Sequence, residues 1–233
     1  EADGSREAVI VQRVRRGALS ESFSMVGEAD LLRAAGAAGV PVAPVLAATD
    51  DPAVFGTPCV VMERLDGETI ARKILRDDEY AEARAVLVGQ SAAALAGIHA
   101  LPVASAPSLR TQEQVGQLRG LLDHLGQPHP AFELGFRWLA AHRPEPGPES
   151  VVHGDFRLGN LIVGPEGLRA VLDWELSHLG DPMEDLGWFC VKAWRFGAAP
   201  PVAGLGQLDE LCRAYEAAGG AAVDPDALHW WMV

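Results

Sequence analysis

The sequence predicts an α+β fold in which a small β-rich segment precedes a larger helical one. Short runs rich in β-branched residues, separated by turn-forming Pro and Gly, dominate the chain up to about residue 66. Long Ala- and Leu-rich patterns with helical spacing dominate after Asp66-Gly67. We therefore expect two units, residues 1–66 and residues 67–233.

The β-rich segment is predicted to contain three strands and one helix. The strands are residues 8–14, 45–48 and 59–65. Apolar positions from Met25 onward recur at helical spacing until Gly36, Gly39 and Pro41 interrupt the pattern. A helix is therefore expected over about residues 24–38.

The second segment is predicted to be mostly helical. Helical patterns cover about residues 78–99, 112–125, 131–142, 182–195 and 207–218. A Pro-rich loop over residues 143–148 leads into a short buried strand at Val151-Val152. Two further apolar stretches, Leu161–Val163 and Ala170–Leu172, read as strands on either side of a turn.

Composition excludes several function classes. The 233 residues carry a net charge of −13, which disfavours nucleic acid and anionic membranes through repulsion. No run approaches the roughly 20 apolar residues of a membrane helix, and the first residues lack a signal-peptide pattern, so a cytoplasmic protein is expected. The three cysteines form no C-x-x-C pair, so neither a disulfide framework nor a zinc site is predicted.

The candidate catalytic and metal-binding residues lie in and after a polar loop between predicted strands. Asp155 lies on this loop, Asn160 follows it closely, and Asp173 ends the second strand after it. A hairpin would bring the three side chains around one phosphate. Phosphoryl transfer requires a group that orients the attacking hydroxyl and oxygen ligands for a metal ion. Hard oxygen ligands suit Mg²⁺ and would be poor for zinc.

The pattern H-G-D-x-x-x-x-N, followed by a hydrophobic strand and D-W, resembles the catalytic loop of the aminoglycoside phosphotransferase family. Members of that family are structural cousins of protein kinases. The resemblance implies a protein-kinase-like, two-lobed fold with a small β-rich lobe and a larger helical lobe. It also implies ATP and Mg²⁺ as cofactors, with Asp155 as the catalytic base and Asn160 and Asp173 as metal ligands.

The run from Val171 to Gly187 resembles one branch of the family, the domains that are sometimes fused to acyl-CoA dehydrogenases. In the family, the Asp of the D-L-G/A turn hydrogen-bonds the backbone of the catalytic loop. This resemblance assigns Asp185, together with His153, to the structural support of the site.

The family's nucleotide site can also be placed on this chain. The segment from Val60 to Gly67 resembles the hinge between the lobes, where the Glu63 carbonyl and the Leu65 amide would meet adenine. Glu28 resembles the glutamate that pairs with a nucleotide-binding lysine from the preceding strand.

At the position of that lysine, the sequence departs from the family pattern. The family's spacing places Gln12 there, and an amide cannot neutralise phosphate charge. Arg13 could bind phosphate if the register of the strand shifted by one residue, because such a shift would turn the Arg13 side chain to the other face of the sheet. Arg13 is therefore kept as a candidate phosphate ligand. No Gly-rich hairpin precedes residue 8, so the small lobe is expected to be incomplete.

These residues favour an ATP- and Mg²⁺-dependent transfer of the γ-phosphoryl group to a hydroxyl of a small molecule. The resemblance offers antibiotics, sugars, choline-like alcohols and, through its branch, hydroxy acids or their thioesters, which are the favoured acceptors. Residues 104–150 and the C-terminal helices are expected to bind the acceptor. Two alternatives stay open: a non-catalytic nucleotide-binding relative, and a metal-dependent phosphoesterase built on His153, Asp155 and Asp173.

Overall fold

The N-terminal part of the chain forms a small antiparallel sheet. The computed structural model describes residues 8–14 and 24–233. The strands pair in the order β1 (Val9–Arg13), β3 (Cys59–Glu63) and β2 (Val45–Thr49). The central strand, β3, contributes the fully buried side chain of Val60 to the core.

A helix, α1 (Met25–Ala37), packs against β2 and β3. It begins where the Ser24 hydroxyl accepts a hydrogen bond from the Gly27 amide, which satisfies one of the unpaired donors of the first turn. Leu31 is completely buried on the inner side of this helix. Glu28, one turn earlier, lies on the same buried face, so the fold brings a carboxyl group into the interior.

The larger, helical part of the molecule contains one long central helix, α4 (Ala81–His99). The other α-helices after α1 are α2 (Pro52–Phe55), α3 (Ala71–Arg76), α5 (Gln114–Leu125), α6 (Pro130–Ala141), α7 (Met183–Cys190), α8 (Leu208–Ala217) and α9 (Pro225–Trp231). α4 contributes Leu87, Leu95 and Ile98 to the core without any exposed surface. None of the helices in the described part of the chain is both long and apolar enough to cross a membrane.

Two short antiparallel strand pairs flank the loop that contains Asp155. β5 (Leu161–Gly164) pairs with β6 (Gly167–Val171), and β4 (Ser150–Val152) pairs with β7 (His178–Gly180). The loop that contains Asp155 therefore connects β4 to β5, and the chain returns past it after β6.

Residues 52–55, which the sequence predicts as part of a turn, form the helix α2 instead. The Asp51 carboxylate accepts a hydrogen bond from the Ala53 amide at its start. Pro52 occupies the first helical position, where its missing amide costs nothing. The same residues that favour a turn also favour a helix start, which explains the error.

The helical pattern over residues 182–195 predicts one helix, but α7 ends at Cys190. A 3₁₀ turn over Lys192–Arg195 follows. Because of this break, the ring of Trp194 packs against Arg157 of the catalytic loop. The structure also contains α3 and β7, which the sequence does not predict because both elements are short.

The segment after β3 is joined to the helical part by a reciprocal pair of backbone hydrogen bonds. The Glu68 amide donates to the Val163 carbonyl at 2.9 Å, and the Val163 amide donates to the Glu68 carbonyl at 3.0 Å. The preceding residue, Gly67, has a φ of 153°. A Cβ atom added there would lie 2.4 Å from Cγ2 of Ile162. Glycine is therefore required where the chain leaves the sheet.

Replacement of Gly67 by alanine should lower the free energy of unfolding by about 1–3 kcal/mol, because the new methyl group meets Ile162 and the backbone becomes strained. Urea unfolding of the wild type and the variant measures this loss. Gly89→Ala is the matched control, since Gly89 lies in α4 with open space around it and alanine there should be neutral or stabilise by up to about 1 kcal/mol. Equal unfolding free energies for Gly67→Ala and the wild type would contradict the account.

Candidate active site

The catalytic loop is anchored at its start by the buried carboxylate of Asp185. Asp185 lies in α7 and has no exposed surface. Its Oδ2 accepts a hydrogen bond from the His153 amide at 2.8 Å, and its Oδ1 accepts one from the Gly154 amide at 2.9 Å. These are the backbone contacts that the sequence predicts for Asp185. They fix the first two residues of the loop to the helix.

A third contact to Asp185 comes from α4. His99 Nε2 lies 3.1 Å from Asp185 Oδ2, and His99 Nδ1 lies 2.8 Å from the hydroxyl of Tyr215 in α8. A tautomer that donates from Nε2 satisfies both contacts. Burial alone would raise the pKa of the Asp185 carboxyl, but the hydrogen bonds from the His99 side chain and the His153 amide hold that pKa below its ordinary value. Asp185 therefore remains an anion that accepts hydrogen bonds.

The ring of His153 connects the loop to the chain that follows β6. Its Nδ1 accepts a hydrogen bond from the Asp155 amide at 3.2 Å, and its Nε2 contacts the Leu172 carbonyl at 3.0 Å. Burial lowers the pKa of this imidazole, so a neutral ring that donates from Nε2 fits both partners. The Leu172 amide in turn donates to the Asn160 carbonyl at 2.8 Å. Asn160 and Asp173 are thereby held next to each other.

The carboxylate of Asp155 is surrounded by donors before any substrate is bound. The Asn160 amide nitrogen donates to Oδ2 at 2.7 Å, and the Trp188 indole donates to Oδ1 at 2.7 Å. Nε of Arg157 lies 3.2 Å from Oδ1 and 3.1 Å from Oδ2. The side chain is nevertheless 15% exposed, so it is not fully sealed from solvent.

Asn160 and Asp173 have the chemistry of a magnesium site. The amide nitrogen of Asn160 is committed to the side chain and the carbonyl of Asp155, which leaves its Oδ1 as the atom for a metal. Asp173 is exposed and adopts a left-handed backbone with φ 65°. Such a conformation is unusual for a residue other than glycine and often marks a functional position. Two oxygen donors of this kind fit Mg²⁺.

The structure decides between Gln12 and Arg13 as the partner of Glu28. Gln12 Nε2 donates to Glu28 Oε1 at 2.9 Å. Successive side chains on a strand point to opposite faces, so Arg13 lies on the other face of β1, where it is exposed. The register shift that Arg13 needed as a phosphate ligand is absent, and that part of the prediction is corrected.

Glu28 is almost completely buried, and its surroundings disfavour its charge. Burial raises the pKa of its carboxyl to about 7, with the Gln12 hydrogen bond opposing the shift and the carboxylates of Asp173 and Glu175 adding to it. Near pH 7 the Glu28 carboxyl is therefore about half protonated, and its partner Gln12 is uncharged. At the position that the family resemblance assigns to a lysine–glutamate ion pair, this chain has a hydrogen bond from an amide to a partly protonated carboxyl.

The two residues that the family resemblance assigns to the hinge, Glu63 and Leu65, lie at the end of β3 and just after it. Glu63 ends β3, and its amide donates to the Pro44 carbonyl at 2.9 Å. Leu65 follows it and packs partly buried against the core. Their contacts with adenine stay predictions.

Sequence reasoning missed three contributors to the site. Trp188 and Arg157 both contact Asp155, and His99 supports Asp185. Arg157 could have been suspected, since it lies two residues after Asp155 in the same loop. Trp188 lies one helical turn after Asp185, which places the two on one face of α7. No local signal in α4 indicates the partner of His99.

Comparison with known proteins agrees with the geometry. The sequence profile of the "Phosphotransferase enzyme family" matches residues 2–231. The acyl-CoA dehydrogenase family member 10 of Mus musculus is 31% identical over 88% of this chain and 20% of its own length. Family member 11 of the same organism is 28% identical over 97% of this chain and 31% of its own length. The chain thus spans less than a third of these two relatives.

Solved structures show the same fold. A macrolide 2'-phosphotransferase of type I superposes with a TM-score of 0.68 at 19% identity, over 97% of this chain and 74% of that one. The small antiparallel sheet and the larger helical part therefore form the two-lobed phosphotransferase fold that the sequence predicts.

Glu28→Gln should change how stability depends on pH in the absence of nucleotide and metal. A carboxyl whose pKa rises from its ordinary 4.5 to about 7 on folding binds its proton more tightly in the folded state. The folded wild type therefore loses stability as the pH rises through this range, by up to about 3 kcal/mol. Gln cannot ionise and can still accept the Gln12 hydrogen bond, so the variant should lack that loss.

Urea unfolding at pH 5 and pH 8 measures the effect. Relative to wild type, Glu28→Gln should be more stable at pH 8 than at pH 5. Glu82→Gln, on the exposed first turn of α4, is the matched control and should follow the wild type. If Glu28→Gln and wild type lose stability equally between the two pH values, Glu28 does not carry a raised pKa.

Proposed function

The chain belongs to the phosphotransferase enzyme family, and on that premise we propose that it transfers the γ-phosphoryl group of ATP to a hydroxyl group of a small molecule. The observation that carries this proposal is the carboxylate of Asp155, which is fixed by Trp188 and Asn160 on a side chain that stays partly exposed. A carboxylate placed in this way can orient an acceptor hydroxyl and receive its proton.

The reaction needs little more from the protein than positioning and charge. The acceptor oxygen forms a bond to the γ-phosphorus while the bond from that phosphorus to the leaving oxygen of ADP breaks. The proton of the hydroxyl passes to Asp155. The His153 ring holds the Asp155 amide in place during these changes, because it is itself fixed to Leu172.

Asn160 and Asp173 would hold the magnesium ion. When bound, Mg²⁺ supplies positive charge to the phosphate oxygens. Two observations support this role: the Asn160 nitrogen is committed to Asp155, which leaves its Oδ1 for a metal, and Asp173 is exposed with a left-handed backbone. The Glu63 carbonyl and the Leu65 amide are the proposed adenine contacts in the hinge.

For the acceptor, we favour a hydroxy acid or its thioester. Two relatives that cover most of this chain carry the name of the acyl-CoA dehydrogenase family. A phosphotransferase that shares a polypeptide with such a protein would suit an acyl compound that bears a hydroxyl group. Aminoglycoside-like compounds form the competing class, and the net charge of −13 would favour their positive charge.

A non-catalytic nucleotide-binding protein is the second candidate. The Gln12–Glu28 hydrogen bond favours it, since an amide stands beside Glu28 where phosphate binding usually uses a cation. This candidate predicts that nucleotide binds but that no acceptor is phosphorylated.

Asp155→Asn should abolish turnover, with a loss in kcat of about 10²–10⁴-fold, because an amide cannot receive the hydroxyl proton. The measurement is ADP formation with ATP and Mg²⁺ across a panel of hydroxy acids, their thioesters, sugars, choline-like alcohols and aminoglycosides. Asp209→Asn, an exposed aspartate of α8, is the matched control and should retain full activity.

Acceptor-dependent ADP formation by the wild type and by Asp209→Asn, but not by Asp155→Asn, supports the phosphotransferase and identifies its acceptor class. Full activity in Asp155→Asn would remove the residue from the chemistry. Nucleotide binding by calorimetry without turnover on any acceptor would favour the non-catalytic candidate.

A further inference from the structure

Arg157 brings a positive charge to the catalytic carboxylate. Its Nε lies 3.1 Å from Oδ2 of Asp155, and its side chain is only 25% exposed. The guanidinium carbon lies 4.8 Å from the centre of the Trp194 ring, within the range of a cation–π contact. The arginine is thus held in one place by a carboxylate on one side and an aromatic ring on the other.

The space that Arg157 occupies depends on Gly159. A Cβ atom added to Gly159 would lie 2.4 Å from Nη1 of Arg157. Gly159 does not have a positive φ, so its lack of a side chain serves the arginine rather than the backbone. The loop sequence therefore provides both the cation and the room for its guanidinium group.

Gln12 is uncharged, which raises the question of which protein group balances the charge of the transferred phosphoryl group. Its Nε2 donates to Glu28 of α1, so among the described residues an amide, and not a cation of β1, contacts that carboxyl. Phosphoryl transfer spreads negative charge over the transferred oxygens and is accelerated by positive groups placed beside them. A guanidinium group presents several donors in a plane that matches phosphate oxygens.

We propose that Arg157 is a further catalytic residue, which contacts the γ-phosphoryl group and stabilises its charge during transfer, in the role that β1 leaves unfilled at Gln12. The proposal rests on the proposed function. Arg157 forms and breaks no covalent bond. Its Nε contact holds it beside Asp155, the base that receives the proton, and among the described residues its Nη groups donate no hydrogen bond, which leaves them for phosphoryl oxygens.

A purely structural role makes different predictions. If Arg157 only neutralised Asp155 and packed on Trp194, its loss would lower stability and affect all nucleotides equally. A group that acts on the γ-phosphoryl instead affects kcat more than the KM for ATP. It also affects binding of a nucleoside triphosphate more than binding of ADP.

The experiment compares Arg157→Gln, Arg157→Lys and Gly159→Ala with the wild type in steady-state kinetics, calorimetry and urea unfolding. Arg157→Gln should lower kcat by about 10²–10³-fold with little change in the KM for ATP. Arg157→Lys keeps the charge and should recover part of the rate. Gly159→Ala keeps the arginine but displaces its guanidinium, so kcat should fall although the unfolding free energy stays near wild type. Arg213→Gln, an exposed arginine of α8, is the matched control.

Calorimetry without an acceptor gives a readout that does not depend on turnover. With Mg²⁺, the wild type should bind a non-hydrolysable ATP analogue more tightly than ADP, and Arg157→Gln should lose that preference while its affinity for ADP is unchanged. This result would support the role of Arg157 even if no acceptor were phosphorylated and the proposed function failed. An unchanged preference for the analogue in Arg157→Gln, or an equal loss for both nucleotides, would overturn the proposal.

Discussion

The geometry of this site depends on one buried anion, the carboxylate of Asp185. It accepts two backbone amides of the catalytic loop and is supported from α4 by His99. A carboxylate with no exposed surface is tolerated only if several donors surround it, and this requirement forces the loop, α4 and α7 into one arrangement. Loss of these donors would leave a buried charge without compensation.

The remaining contacts extend from that anchor. The His153 ring, fixed at its amide by Asp185, sets the position of the Asp155 amide and of the Leu172 carbonyl. Leu172 then holds Asn160 beside Asp173. A continuous set of hydrogen bonds thus leads from a buried anion to Asp155, the proposed base, and to Asn160, a proposed metal ligand. Pre-organisation of this kind is how an enzyme lowers the cost of aligning reactants.

Charge is distributed unusually between the sheet and the loop. Gln12 of β1 is uncharged and contacts Glu28 of α1, whose pKa burial raises to about 7. In the loop, Arg157 contributes a cation that is partly buried and ion-paired with Asp155. If Arg157 acts as proposed, the positive charge that the protein places beside the phosphoryl group comes from the loop that contains Asp155 and not from the position of Gln12.

The sequence predicts the fold class correctly because that class depends on local patterns. Asp155, Asn160 and Asp173 lie within one short hairpin region, so their spacing alone brings them together. The face of Gln12 could not be predicted, since a slip of one residue reverses every side chain of a strand. The partners of His99 could not be predicted either, because they lie 86 and 116 residues away and meet it only in the folded chain.

The most direct test of the central claim follows the phosphorus atom itself. ³¹P NMR of the protein with ATP, Mg²⁺ and a hydroxylated acceptor distinguishes transfer from hydrolysis. The account predicts a new phosphate-monoester resonance that grows in step with ADP and depends on the acceptor. Formation of ADP with inorganic phosphate alone, or unchanged ATP with every acceptor class, would contradict it.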